Sequence, residues 1–146
     1  NIVKLNLEKE FPEIGTFDNA LCFNTIEHIF NTKNLLEQSN KILNKDGRFI
    51  GCVPFLYPYH ADPDDFHRYT FSALKKLFEE NNFKEIKIME VGHGPLTLGF
   101  QIFPYPNILR AFAQSAIFIL DLMTRFYWKK YSSNFTLIYI FEAVKA

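Results

Sequence analysis

Short apolar runs alternate with helix-spaced apolar positions along most of the chain. Ile2, Val3 and Leu5 predict a short strand over 1–7, and Phe11-Pro12 and Gly15 then punctuate a loop. Phe17, Ala20, Leu21, Cys22 and Phe23 make a nearly continuous run over 18–23, as in a strand buried on both faces of a parallel sheet. Leu35, Leu36, Ser39, Ile42 and Leu43 share one helical face, which predicts a helix over 32–43. Asn31 or Thr32 can cap its start, and Asp46-Gly47 offers a stop. A third strand is predicted over 48–53, closed by Pro54. After an aromatic, polar loop, Thr70 caps a helix running to about Asn81, with Phe71, Leu74, Leu77 and Phe78 inward. Asn82 is placed for a left-handed turn, and a fourth strand over 83–91 alternates through Ile86 and Ile88.

From Gly92 the texture changes. Pro95, Pro104 and Pro106 interrupt the first part, a long helix is predicted from Ile108 to about Tyr131, and a strand over 135–144 closes the chain. Strands alternating with helices give an α/β class with parallel crossovers, and a last strand after a long excursion fits as an antiparallel partner. The expected organisation is one partial domain over 1–146 with an apolar helical insertion over about 95–133.

The insertion helix is lopsided. Arg110, Gln114, Asp121 and Arg125 share one narrow stripe, while Leu109, Phe112, Ile117, Phe118, Ile119, Leu120, Leu122, Met123 and Phe126 are apolar. The charges interrupt it too often for a membrane span. The readings that remain are a core helix on the sheet, a lid over a greasy substrate, a homodimer interface, or a membrane-surface helix with Trp128-Lys129-Lys130 at the headgroups.

Composition narrows the partners. The 16 basic residues balance the 16 acidic ones, so no basic surplus draws nucleic acid and none is expected as a partner. Aromatics reach 17%, which reads either as a Phe-rich core or as a greasy surface or pocket, the latter favoured locally by the tail. Cys22 and Cys52 each sit in an apolar run without a CxxC, which reads as free thiols in a reducing, cytoplasmic setting. Peripheral membrane contact or a homodimer through the 108–131 helix is a separate expectation, carried by its apolar face. No signal peptide opens the chain, and its first residue, Asn1, is not Met, which leads us to expect a segment upstream.

Chemistry-bearing residues gather at two places. Phe23-Asn24-Thr25 ends a strand, where ligands of open α/β sheets bind, although a plain strand-to-helix turn would look the same. Glu27-His28 follows, either as a turn-capping carboxylate with a packed imidazole or as polar contacts to a ligand. The loop after Pro54 crowds His60, Asp62, Asp64, Asp65, His67 and Arg68 together. Such a loop can cover an acceptor, with His60 as its base because imidazole titrates near neutral pH. The competing readings are a packing role for His60 and an ion pair from Arg68 to Asp64 or Asp65.

One succession of motifs is specific. Phe17-Asp18 opens a strand ending at Phe23, and Ile26-Glu27-His28-Ile29 follows. A helix exits through Ile42-Leu43-Asn44-Lys45-Asp46-Gly47, and the next strand ends in Pro54. The loop then reads Pro58-Tyr59-His60-Ala61-Asp62-Pro63-Asp64-Asp65-Phe66-His67-Arg68-Tyr69-Thr70, and Asn82-Phe83 precedes a further strand. This succession resembles the second half of the class I methyltransferases that use S-adenosylmethionine, over roughly residues 1–91 and the last strand. The resemblance implies an incomplete Rossmann-like sheet, mostly parallel with an antiparallel last strand, and S-adenosyl-L-methionine as cofactor. It implies methyl transfer to a small-molecule, saccharide or lipid-linked acceptor by the intact parent protein. The cofactor-binding residues it implies are Asn6, Leu7, Phe23, Asn24, Thr25 and His28, and the catalytic ones His60 and Arg68. The alternative is a truncated or degenerate non-catalytic fragment that acts in binding or association.

Departures from the family pattern shape the expectation. The family's glycine-rich first loop is not in this sequence, so this segment alone is expected to be inactive. Asn6-Leu7 stands where the family usually carries Asp before an apolar residue, and Asn can still offer an acceptor. Gly92-His93-Gly94 imitates the cofactor loop but follows Asn82-Phe83, the wrong place in chain order. The Asn24-to-His28 segment is similar to the ExxEH metal pattern of small-RNA 3′-end methyltransferases, but a neutral amide replaces its first Glu, and no metal is expected.

Overall fold

The computed structural model describes residues 2–92, 94–102 and 107–146, and for 107–112, 128, 132 and 133 the backbone alone. In chain order the elements are β1 (Phe17–Phe23), a 3₁₀ turn (Ile26–His28), α1 (Thr32–Ile42), β2 (Leu43–Pro54), α2 (Phe71–Glu80), β3 (Phe83–Val91), α3 (Pro95–Ile102), α4 (Asn107–Trp128), a second 3₁₀ stretch (Lys129–Phe135) and β4 (Ile138–Lys145). One four-stranded open sheet runs β1-β2-β4-β3. β1 and β2 are parallel, and β4 is antiparallel to both β2 and β3. The fold is therefore α/β with one mixed sheet, as the pattern of elements predicts.

Local chemistry sets the element boundaries. The Asn31 side chain accepts from the Asn34 amide at the start of α1, and Thr70 accepts from Ala73 at the start of α2. Asn82 takes φ 60 after α2, the left-handed turn its residue type allows. The sheet and helices bury Phe49, Phe78, Phe83 and Phe141 as one aromatic cluster, with ring centroids 5.0 Å apart for Phe78–Phe141 and 5.6 Å for Phe49–Phe141. Each such ring removed from water stabilises the fold by about 2 kcal/mol. Cys22 is buried and free, its thiol pushed up to about 12 by burial; Cys52 is free and half-buried.

Several expectations fail for identifiable reasons. Residues 2–6 form no strand. A strand needs a ladder partner, and this segment instead packs Leu7 and Phe11 beside α1, where the Asn34 amide donates to the carbonyls of Leu7 and Lys9. β1 is not buried on both faces: Phe17, Leu21 and Phe23 alternate onto one face and are exposed, while Cys22 on the other face is buried. β1 is also an edge strand, pairing among the described residues with β2 alone. Asp46-Gly47 does not stop α1. The helix ends into Leu43, and Asp46, at φ 60, sits within β2 where the register slips between Phe17/Leu43 and Asn19/Arg48. Pro95 starts α3 rather than breaking a helix, since proline costs nothing at a first helical position. β4 begins at Ile138, three residues late, because the chain first turns through the second 3₁₀ stretch.

The insertion is a helical hairpin, α3 against α4. Asp121 of α4 is fully buried, and its carboxylate accepts from the backbone amides of Leu96 and Thr97 at 3.2 and 2.6 Å. It thus supplies, from another helix, the cap that α3 lacks in its own sequence. The two glycines of the imitation cofactor loop have structural roles. A Cβ on Gly92 would lie 2.1 Å from the Phe135 carbonyl oxygen, and one on Gly94 would lie 2.6 Å from Asp121 Oδ1. His93 lies outside the described residues.

Asp121→Ala should therefore destabilise the protein by about 2 kcal/mol, the upper range for a lost cap. The expected readings are a lower urea midpoint and faster proteolysis within 95–128. If both stay unchanged, Asp121 does not hold the hairpin.

Candidate active site

The site forms where β1 and β2 end side by side. The Asn24 amide donates to the Cys52 carbonyl at 3.0 Å, and Asn24 then turns the chain at φ 45. Asparagine tolerates this left-handed region better than most residues. Ile26 is fully buried and anchors the 3₁₀ turn that follows, which places Glu27 inside and His28 beside it. The loop after Pro54 folds back over this turn, and the Phe66 and His67 amides donate to the Glu27 carbonyl at 2.8 and 3.2 Å.

An ion pair closes that loop on itself. Arg68 donates through both terminal nitrogens to the Asp65 carboxylate, and also to the carbonyls of His67 (2.8 Å) and Pro58 (3.3 Å). Asp65 in turn accepts from the His60 backbone amide at 3.0 Å. Hydrogen bonding from Arg68 holds the Asp65 carboxyl well below its ordinary range, to about 2. Arg68 is thus committed to shaping the loop, as the ion-pair reading of the sequence proposed.

The loop delivers His60 to Glu27 and His28. His60 Nε2 and His28 Nε2 each stand 3.8 Å from Glu27 Oε1, and the two imidazole rings meet edge to face at 5.1 Å. His28 Nδ1 bonds to the Asp64 carbonyl, and His60 Nδ1 to the Pro58 carbonyl at 3.1 Å. Glu27 is 0% exposed, and neither carboxylate oxygen has a hydrogen-bond partner. Burial raises its pKa, opposed first by Glu27's own backbone amide and then by the charges of His28, His60 and Arg68.

A cavity of about 180 Å³ opens here, lined by Asn24, Pro54, Tyr57, His60 and Ile138. The Tyr57 ring stands edge-on to His60 at 5.2 Å. Thr25 Oγ1 donates back to the Phe23 carbonyl at 2.9 Å, so both residues shape the turn that carries Asn24. Asn6 and Leu7 do not line this cavity: Asn6 Oδ1 accepts from the Glu8 amide in a local turn, and the Leu7 carbonyl is held by Asn34. The structure adds Tyr57 and Asp65 to the site and makes Glu27 its centre. The adjacency of Glu27 to His28 was visible in the sequence; that its carboxylate would be enclosed without a partner was not.

No sequence-family model matches the chain, and no curated protein is significantly similar to it. Solved structures are similar in fold. A methyltransferase dependent on S-adenosylmethionine from Thermotoga maritima aligns with a TM-score of 0.60 and 13% identity, over 99% of this chain and 63% of that one. The Haemonchus contortus phosphoethanolamine N-methyltransferase 2, in complex with phosphomonomethylethanolamine and S-adenosylhomocysteine, aligns with a TM-score of 0.53 and 15% identity, over 88% of this chain and 33% of that one. The cyclase SpnF aligns with a TM-score of 0.58 and 11% identity, over 97% of this chain and 54% of that one. This chain thus spans between a third and two thirds of these proteins. With its mixed sheet, its site at the strand ends and these similarities together, the chain has the fold of the class I, S-adenosylmethionine-dependent methyltransferases.

Proposed function

We propose that the protein, in its intact form, transfers a methyl group from S-adenosyl-L-methionine to a small-molecule, saccharide or lipid-linked acceptor. The observation that carries this reading is the cavity shared by Asn24, at the end of β1, and His60, in the loop after β2. In an open α/β sheet that is where a ligand is expected. Methyl transfer from a sulfonium is an in-line displacement, so positioning supplies most of the rate. In this reading the turn Phe23-Asn24-Thr25 and His28 border the cofactor's methionine moiety, and Asn6-Leu7 its adenine end. His60 faces the acceptor, and Arg68 positions His60 through Asp65. The alternative is a non-catalytic role in binding or association, and SpnF shows that a cyclase shares the fold.

A second reading rests on α4. Of the described side chains in the polar stripe, Asp121 is buried while Gln114 and Arg125 are exposed, and much of the apolar surface also faces out: Ile119 is 53% exposed and Phe126 85%. Phe112, another apolar residue of the helix, lies outside the described side chains. None of the described helices is long and apolar enough to cross a membrane. An exposed apolar face of this kind marks an interaction surface. Peripheral membrane contact or homodimerisation through Ile119 and Phe126 would cover it, in a cytoplasmic protein associated with the membrane surface.

Three outcomes follow. Isothermal titration of the 146-residue chain should show millimolar affinity for S-adenosylmethionine or none, because the glycine-rich loop is not in this sequence. Micromolar binding would overturn that account of the cofactor. In the intact protein, His60→Ala should lower turnover about a hundredfold while changing cofactor affinity little. Equal losses in both would give His60 a purely structural role. Ile119→Glu with Phe126→Glu should abolish liposome co-sedimentation, or dissociate the dimer in analytical ultracentrifugation; a wild-type monomer that ignores liposomes refutes both forms of contact.

A further inference from the structure

Glu27, His28 and His60 present a polar problem that the protein's own groups do not solve. A carbonyl can only accept, so the Asp64 carbonyl fixes the His28 proton on Nδ1. The Pro58 carbonyl, at 3.1 Å, does the same for His60, ahead of Arg68 Nη2 at 3.4 Å from that nitrogen. Both Nε2 atoms are then left with lone pairs, and both are directed at Glu27 Oε1, 3.8 Å away. A fully buried carboxylate with neither oxygen hydrogen-bonded faces two further acceptors. Three converging acceptors, with no hydrogen-bond donor from another residue, make an arrangement that costs free energy and that a bound cation would relieve.

We propose that Glu27, His28 and His60 form a three-ligand site for a divalent first-row transition metal ion, of which zinc is the type. Three features support the assignment. The three ligand atoms lie within 4.8 Å of one another. A tetrahedral ion with bonds of about 2.1 Å sets its ligands about 3.4 Å apart, so the two 3.8 Å separations from Glu27 close with shifts of a few tenths of an ångström, and the two imidazole nitrogens, within 4.8 Å, close by at most about 1.4 Å through side-chain rotation. Each imidazole donates its other nitrogen to a carbonyl, the outer support that orients metal-bound histidines, and the Asp65 carboxylate stands 3.5 Å from His60 Nδ1 as a further support. Two imidazoles and one carboxylate favour zinc, iron or cobalt over magnesium or calcium, which prefer oxygen donors.

Three protein ligands leave coordination positions open. His60 borders the cavity and is partly exposed, so an open position can be reached from that side. An ion here occupies the Nε2 lone pair of His60. His60 then acts on an acceptor through the metal instead of as a free base. The site itself depends only on the three side chains and not on the methyl-transfer reading.

The test uses metal alone, without cofactor or acceptor, so that its failure is separate from failure of the enzymatic reading. Purified protein stripped with chelator is titrated with Co²⁺ and followed by its visible absorption, then competed with Zn²⁺. The expected result is one ion per chain, with the intense bands of four- or five-coordinate cobalt, displaced by zinc. Glu27→Gln and His28→Ala, each checked for folding by circular dichroism, should weaken binding by at least about a hundredfold, more than the loss of a supporting partner costs. His67→Ala, which removes an imidazole bonded to the Phe30 carbonyl outside the cluster, should leave binding unchanged. Absence of binding by the wild-type protein, or binding that survives both Glu27→Gln and His28→Ala, overturns the proposal.

Discussion

β2 and β3 do not pair with each other; β4 lies between them and pairs with both. Its ladder to β2 is continuous from Arg48/Val144 to Pro54/Ile138, and its ladder to β3 runs from Phe83/Lys145 to Val91/Ile138. The sheet is completed only when the last segment of the chain inserts, so the aromatic cluster around Phe141 forms last along the sequence and joins both halves. The same insertion builds the site. Beyond the ladder, the Phe55 amide donates to the Leu137 carbonyl at 2.7 Å and the Leu56 amide to Thr136 at 3.3 Å, which pins the root of the His60 loop. Ile138 then lines the cavity beside Asn24 and His60.

Two of the buried acidic side chains, Asp121 and Glu27, serve opposite ends. Asp121 is satisfied: it takes two amide hydrogens at the start of α3 and fastens the hairpin. Glu27 is unsatisfied in its side chain, while its backbone carbonyl takes two amides from the loop that carries His60. The backbone thus holds the loop down while the carboxylate is left facing two imidazoles. A purely structural residue in that position would be expected to bond its side chain as Asp121 does. The contrast between the two carboxylates is the physical ground for placing function at Glu27.

The hairpin draws one residue of α4's polar stripe inward, while Gln114 and Arg125 stay exposed. A helix with one narrow polar stripe ordinarily turns that stripe to water. In α4 the need to cap α3 draws Asp121 inward, and Ile119, Met123 and Phe126 are carried outward. The high aromatic content is thereby divided: part fills the core around Phe49 and Phe78, and part is displayed on α4, where Phe126 and Tyr127 are exposed.

The sequence by itself determined the elements and their class, because apolar periodicity and capping residues act locally: α1, α2, β3 and the antiparallel last strand lie close to where the pattern puts them. It also marked the two stretches that carry chemistry, Asn24–His28 and His60–Arg68, since polar residues crowded at strand ends have few other uses. Tertiary structure alone decided what those residues do to one another. Arg68 became a loop fastener because Asp65 lies within its reach, and Glu27 became the centre of the site because the loop closed over it. Of the strand expected over 1–7, the described residues 2–7 form none, because a strand exists only through a partner's hydrogen bonds, and no local pattern encodes where that partner lies. The direction in which α4 faces was likewise hidden, since periodicity shows that a helix has two faces but not which one a distant helix end will claim.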